Sequence, residues 1–135
     1  PNHILLNEYQ PGEGIDAHKD GPLYAPLVAI VSLGSQCGFE FSEDTPERPS
    51  LASLLLPPRG LLVFAGDAYE RHLHSVPARR ADEITPRQGF VDLCGEGEEG
   101  ARPSRLPRRR RLSLTVRRVV LPPEADARRE TCEGA

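Results

Sequence analysis

Apolar residues in this chain come in short runs broken by glycine and proline, without the three-and-four spacing of an amphipathic helix. His3 to Tyr9 is short and largely apolar, and Pro11, Gly12 and Gly14 end it, a pattern that predicts a hairpin. Leu27 to Val31 is apolar without interruption, which predicts a strand buried on both faces. Gly34 to Gly38 reads as a turn, Phe39 to Phe41 as a short strand and Ser42 to Ser50 as a polar loop. Leu51 to Leu56, the turn Pro57 to Gly60, and Leu61 to Phe64 predict a second hairpin. Pro77 to Pro107 is rich in charge, glycine and proline, with only Gly89 to Leu93 strand-like. Many short strands separated by turns point to an all-β barrel or sandwich. The length of 135 residues fits one domain. We place it over residues 1–120, with a loop insertion at about 77–110 and a disordered tail at 121–135.

Polar residues interrupt this pattern at positions that suggest chemistry. His18 and Asp20 stand two apart, so in a strand both point to one face while Lys19 points to the other. An imidazole and a carboxylate so placed are two of the three ligands of a 2-His-1-carboxylate facial triad, which leaves other metal positions open. An H-x-D triplet also arises by chance on surfaces, and the third ligand has to come from elsewhere. His72 and His74 share a face of a strand-like stretch, so periodicity leaves both as candidates. Between Arg111 and Arg117, leucine, leucine and valine alternate strictly with arginine, serine, threonine and arginine. Taken alone, that is a strand with its apolar face on the core and its polar face in water. Asn7 and Tyr9, also two apart, would ordinarily be a turn residue and a core aromatic.

In chain order, N-x-Y-x-P-G from Asn7, H-x-D from His18, A-Y-x-R-x-L-H ending at His74, and R-x-S-L-T-x-R from Arg111 resemble the AlkB-like branch of the Fe(II)/2-oxoglutarate dioxygenases. The resemblance runs from Asn2 to Val120. It implies a mainly β fold with a double-stranded β-helix core, a cupin-like jelly roll. It also implies that His18, Asp20 and His74 ligate Fe(II), with His72 the runner-up to His74. The polar face of the Arg111 strand then turns inward. Arg111 would meet the far carboxylate of 2-oxoglutarate, which suits a planar, bidentate guanidinium. Arg117 would serve the metal end of the co-substrate, and Asn7 and Tyr9 would hydrogen-bond it. No catalytic side chain is expected beyond the metal centre. With O2 as oxidant, the implied reaction is oxidative hydroxylation or demethylation of alkylated nucleic acid. Two alternatives stand beside it: a weakly active or inactive jelly-roll module that binds nucleic acid or protein, and a protein hydroxylase.

Charge tempers the nucleic-acid expectation. Seventeen basic residues against 20 acidic ones give a net charge of −3, which argues against nucleic-acid binding by the chain as a whole. The distribution is uneven, with Asp92, Glu96, Glu98 and Glu99 followed by a basic cluster from Arg105 through Arg108, Arg109 and Arg110. That cluster either balances the acids in solvent or contacts phosphates. Cys37, Cys94 and Cys132 are odd in number and lack C-x-x-C spacing, so reduced thiols are expected rather than disulfides or a zinc site. No apolar run reaches the roughly eighteen residues of a membrane span, and no signal peptide is visible. The expectation is a monomer of the cytoplasm and nucleus that needs no membrane. Starting at Pro1 and lacking methionine, the chain is expected to be a fragment without the family's N-terminal part, which forms a lid over the substrate.

Overall fold

The computed structural model describes residues 1–84 and 104–120. The described elements are β1 (His3–Tyr9), β2 (Ile15–His18), β3 (Leu27–Leu33), β4 (Cys37–Glu43), β5 (Ser50–Leu56), β6 (Leu61–Ala65), α1 (Asp67–Glu70), β7 (His72–Val76), β8 (Ala81–Ile84), β9 (Ser104–Pro107) and β10 (Arg111–Arg117). Eight strands form two four-stranded antiparallel sheets, ordered β1-β10-β3-β6 and β2-β7-β4-β5. The expected all-β jelly-roll architecture is the one observed. The strand-like stretch Gly89 to Leu93, the acidic block, Cys94, Cys132 and the tail at 121–135 lie outside the described residues.

Two predicted hairpins are instead corners between the sheets. β1 pairs with β10 and β2 with β7, so the Pro11–Gly14 turn carries the chain from one layer to the other. Likewise β5 pairs with β4 and β6 with β3. Arg59, at a φ of 67°, donates its backbone N–H to the Ser32 carbonyl and ties that corner to β3. Turn residues mark where a strand ends; which strand it then pairs with depends on remote partners. Between Pro77 and Pro107, β8 and β9 form an antiparallel pair that the composition did not suggest. It is anchored by a buried fork in which Arg108 Nε and Nη2 meet Asp82 Oδ2 and Oδ1 at 2.8 and 2.5 Å. Asp82 Oδ1 also accepts the Gly38 N–H, which links the pair to β4.

The space between the sheets has two halves. On the β3–β6 side it is apolar, filled by Val28, Ile30, Phe39, Phe41, Leu56, Phe64 and Val76, with the Cys37 thiol buried among them. Such burial is the main driving term of the fold, at roughly 25 cal/mol per Å² of apolar surface. On the β1–β10 side it is polar, because Arg111, Ser113, Thr115 and Arg117 are all buried. β3 is not buried on both faces as its composition suggested: Val28, Ile30 and Ser32 face inward, and Leu27 is 51% exposed. In register with it, Ile4, Leu6, Leu61 and Val63 give the outer face of this sheet an exposed apolar character.

Candidate metal and co-substrate site

At the polar end of the interlayer, His18 on β2 lies directly opposite His74 on β7, the closest pairing that antiparallel strands allow. Their ring centroids are 4.4 Å apart. Three residue steps from Ile15 to His18 match two from Val76 to His74, so β2 carries a bulge that re-aims the imidazole. Gly14 makes this approach feasible, since a Cβ there would collide with the Val76 carbonyl oxygen. β2 ends at His18, and Asp20 reaches the site from the segment that follows, whereas alternation within a strand had placed it there. Lys19 points away, ion-paired to Asp44 at 2.7 Å. The ligand atoms of His18, Asp20 and His74 all lie within 4.8 Å of one another. His72 faces Glu43 across β4 instead and is not part of this group.

Each of the three side chains is prepared differently. His18 Nδ1 lies 2.7 Å from the Asp16 carbonyl oxygen, which can only accept, so Nδ1 carries a proton and Nε2 is the nitrogen left available to a metal. His74 is packed against Phe39 and Phe64, with ring centroids at 5.8 and 5.2 Å. Burial, reinforced by the charges of His18 and Arg117, pulls its pKa down to about 4, so the ring is neutral at pH 7. Asp20 is pushed the other way: burial raises its carboxyl, and Arg117 and His18 only partly offset this. Its Oδ1 forms an ion pair with Arg117 Nη2 at 2.5 Å, while its buried Oδ2 has no hydrogen-bond partner among the described residues.

Deeper along β10 lies Arg111, 3% exposed. Its Nε donates to Ser32 Oγ at 2.7 Å and its Nη2 to Ser113 Oγ at 3.4 Å. Its Nη1 is buried with no partner among the described residues, and Tyr9, its register partner, presents its ring 5.3 Å from Cζ. Asn7 pairs in register with Ser113 and so lies beside the same row. Burial raises the Tyr9 phenol, which stays protonated as a hydrogen-bond donor. The inward polar face expected from the resemblance is therefore present, and the ordinary alternative of a solvated polar face is not.

The chain matches the 2OG-Fe(II) oxygenase superfamily over residues 1–117. It belongs to that superfamily. Among its relatives, a Danio rerio protein named "Probable RNA/DNA demethylase ALKBH6" is 35% identical over an alignment of 128 residues that covers 87% of this chain and 53% of that protein. An uncharacterized protein of Acanthamoeba polyphaga mimivirus is 34% identical over 121 residues, covering 89% of this chain and 49% of its own length. A Xenopus tropicalis tRNA (carboxymethyluridine(34)-5-O)-methyltransferase, alkbh8, is 28% identical over 120 residues, 88% of this chain and 18% of that protein. The chain thus spans about half the length of the first two relatives.

The donor set suits the metal that the superfamily's name carries. Two imidazole nitrogens and one carboxylate oxygen form the set that non-haem Fe(II) takes with positions to spare. The orphaned Asp20 Oδ2 fits the same reading, because a buried carboxylate oxygen without a donor is costly and a cation would satisfy it. The basic cluster resolves unevenly. Arg108 is buried in its fork with Asp82 and cannot touch a phosphate, and Arg110 pairs with Glu8 at 2.6 Å. Arg105 and Arg109 are exposed. The contribution of Ser32 escaped the sequence reading, because its place beside Arg111 depends on the pairing of β3 with β10.

Proposed function

We propose that this chain forms the core of an Fe(II)- and 2-oxoglutarate-dependent dioxygenase that hydroxylates or demethylates alkylated nucleic acid. The observation that carries the reading is the convergence of His18, Asp20 and His74 within 4.8 Å, with Asp20 Oδ2 left unpartnered among the described residues. His18, Asp20 and His74 would hold the metal. Fe(II) with 2-oxoglutarate supplies the oxidising power that converts O2 and a C–H bond into a hydroxyl group, with succinate and carbon dioxide as co-products.

The chain's own residues then bind and orient. Arg111, with one guanidinium nitrogen unpartnered among the described residues, would take the far carboxylate of 2-oxoglutarate, since a buried carboxylate needs a fixed cation. Ser32 and Ser113 hold that guanidinium in place. Asn7 and Tyr9 would add hydrogen bonds along the co-substrate, and Arg117 keeps the Asp20 carboxylate paired. Phe39 and Phe64 exclude water from the His74 side. A hydroxylated N-methyl group loses formaldehyde, which makes hydroxylation a demethylation. The names of two relatives, an RNA/DNA demethylase and a tRNA methyltransferase, support a nucleic-acid substrate. A jelly roll kept only for binding has no use for a buried guanidinium aimed into its own interlayer, and this disfavours the module reading.

The test is succinate formation from 2-oxoglutarate with Fe(II), alone and with methylated single- and double-stranded oligonucleotides. Stimulation by one methylated class is the expected result. Tight oligonucleotide binding without any turnover would overturn the enzymatic reading in favour of a binding module.

A further inference from the structure

An arginine facing a carboxylate usually closes two parallel N–H···O bonds. Arg108 does so with Asp82 in this protein. Arg117 does not do so with Asp20. Their contact runs from Nη2 to Oδ1, while Arg117 Nε and Asp20 Oδ2 are both buried and both lack a hydrogen-bond partner among the described residues. Two unmet atoms on the two members of one ion pair require a restraint that holds the guanidinium off the fork.

Tyr24 is placed to be that restraint. Its ring lies under the guanidinium, 4.8 Å from Cζ to centroid, whereas no aromatic ring of the described residues lies under Arg108. Tyr24 is itself fixed. It forms a bridge with Val119, the next residue donates its N–H to the Arg118 carbonyl at 2.8 Å, and its ring packs against His3 at 5.4 Å. His3 in turn is the register partner of Arg117. Among the described residues, Asp20 is the ion-pair partner of the Arg117 guanidinium and Tyr24 the aromatic ring that lies under it.

We propose that Tyr24 is a positioning residue: its ring restrains Arg117 to one oxygen of Asp20 and so keeps the other oxygen open to the metal. This inference rests on the reading of His18, Asp20 and His74 as metal ligands. Without the ring, Arg117 is free to close on both oxygens as Arg108 closes on Asp82, and a metal ion must then displace a charge-assisted bond before it can bind.

Co(II) titration of the purified chain, followed by its visible absorption, reads this without turnover. Tyr24→Leu should weaken Co(II) binding on the order of tenfold, and Tyr24→Phe, which keeps the π-face, should restore it to within about twofold of the parent. In an Arg117→Leu background Tyr24→Leu should have no further effect, because the competing cation is gone. Tyr24→Met takes the place of Tyr24→Leu if the latter does not fold. Equal Co(II) affinity in Tyr24→Leu and parent overturns the proposal, and so does an equal loss with and without Arg117, which would make Tyr24 merely structural. If the parent binds no Co(II), or binds it equally well after Asp20→Ala, the ligand assignment itself fails, a result distinct from the other two.

Discussion

Replacing Arg111 with methionine removes a buried cation while keeping an unbranched, apolar side chain, and its effects on stability and on co-substrate use should have opposite signs. Arg111 is held by two hydroxyls, Ser32 Oγ and Ser113 Oγ, and no carboxylate among the described residues neutralises it. A buried charge without a counter-charge is costly, and replacing buried ionic groups by well-packed apolar ones is often neutral or stabilising by about 1–4 kcal/mol. Without 2-oxoglutarate, Arg111→Met should therefore melt no lower than the parent. An upward shift of about 4 °C would correspond to ~1 kcal/mol for a domain of this size.

With 2-oxoglutarate the sign reverses. The far carboxylate loses two charge-assisted hydrogen bonds at roughly 1.5–3 kcal/mol each. Allowing for the desolvation the parent pair has to overcome, a net loss of about 3–4 kcal/mol corresponds to a rise on the order of 10²–10³-fold in the 2-oxoglutarate requirement. Arg111→Lys, which keeps the charge but not the fork, should fall between, at roughly tenfold. The assay is succinate formation against 2-oxoglutarate concentration, paired with thermal melts with and without the co-substrate. A parent melts higher at saturating 2-oxoglutarate, by about 2.7 kcal/mol at a hundred times Kd, and Arg111→Met should lose this shift. An unchanged 2-oxoglutarate requirement would refute the placement. So would a sharp destabilisation without ligand, which would make the guanidinium a structural tie rather than a waiting receptor.

Asp20→Ala and His74→Ala should each abolish retention of Fe(II) or Co(II) on a desalting column together with turnover, while His72→Ala should change turnover by less than about threefold, since His72 lies opposite Glu43. Retained metal in Asp20→Ala, or a dead His72→Ala with an active His74→Ala, would reassign the ligands. In metal-free protein, the folded pKa of His74, about 4, lies below its ordinary 6.5, so the unfolded chain takes up the proton first. That stability is intact above pH 6.5 and falls by about 3 kcal/mol as the pH drops to 4, as urea midpoints in chelator should show, and His74→Gln should flatten the dependence. Asp82→Ala should cost about 3–5 kcal/mol in urea unfolding by stranding buried Arg108, and adding Arg108→Leu should recover part of it. A loss below about 1 kcal/mol would show that the β8–β9 anchor matters little.

Which side chains face one another was legible where a strand's own alternation carries the information. β10 shows this best: the alternation in Arg111–Arg117 was visible in the chain, and the motif it belongs to set its direction, with the guanidinium ends inside and the leucines outside. Composition alone pointed the other way, because polar residues usually face water. The inversion holds because β10 borders the polar half of the interlayer, beside Tyr9 and Asn7. What local pattern could not show was pairing. Pro11–Gly14 and Pro57–Gly60 look like hairpin turns and are corners between sheets, because in a jelly roll a strand's neighbour in the chain is often not its neighbour in the sheet.

The same limit explains why periodicity could not separate His72 from His74. Both point to one face of β7, and only the partner strand distinguishes them: β4 sets Glu43 against His72, while β2, shifted by its bulge, sets His18 against His74. A metal site at a strand crossing is thus written in two places, in the ligand residues and in the bulge and glycine that set the register between their strands. Gly14 and the Asp16 carbonyl contribute no ligand atom, yet one permits the approach of β2 to β7 and the other fixes which nitrogen of His18 faces the site. Gly14→Ala should therefore lower metal affinity with all three ligands intact, and it is the register of β2, more than the identity of any one ligand, that makes an H-x-D triplet into half of a metal site.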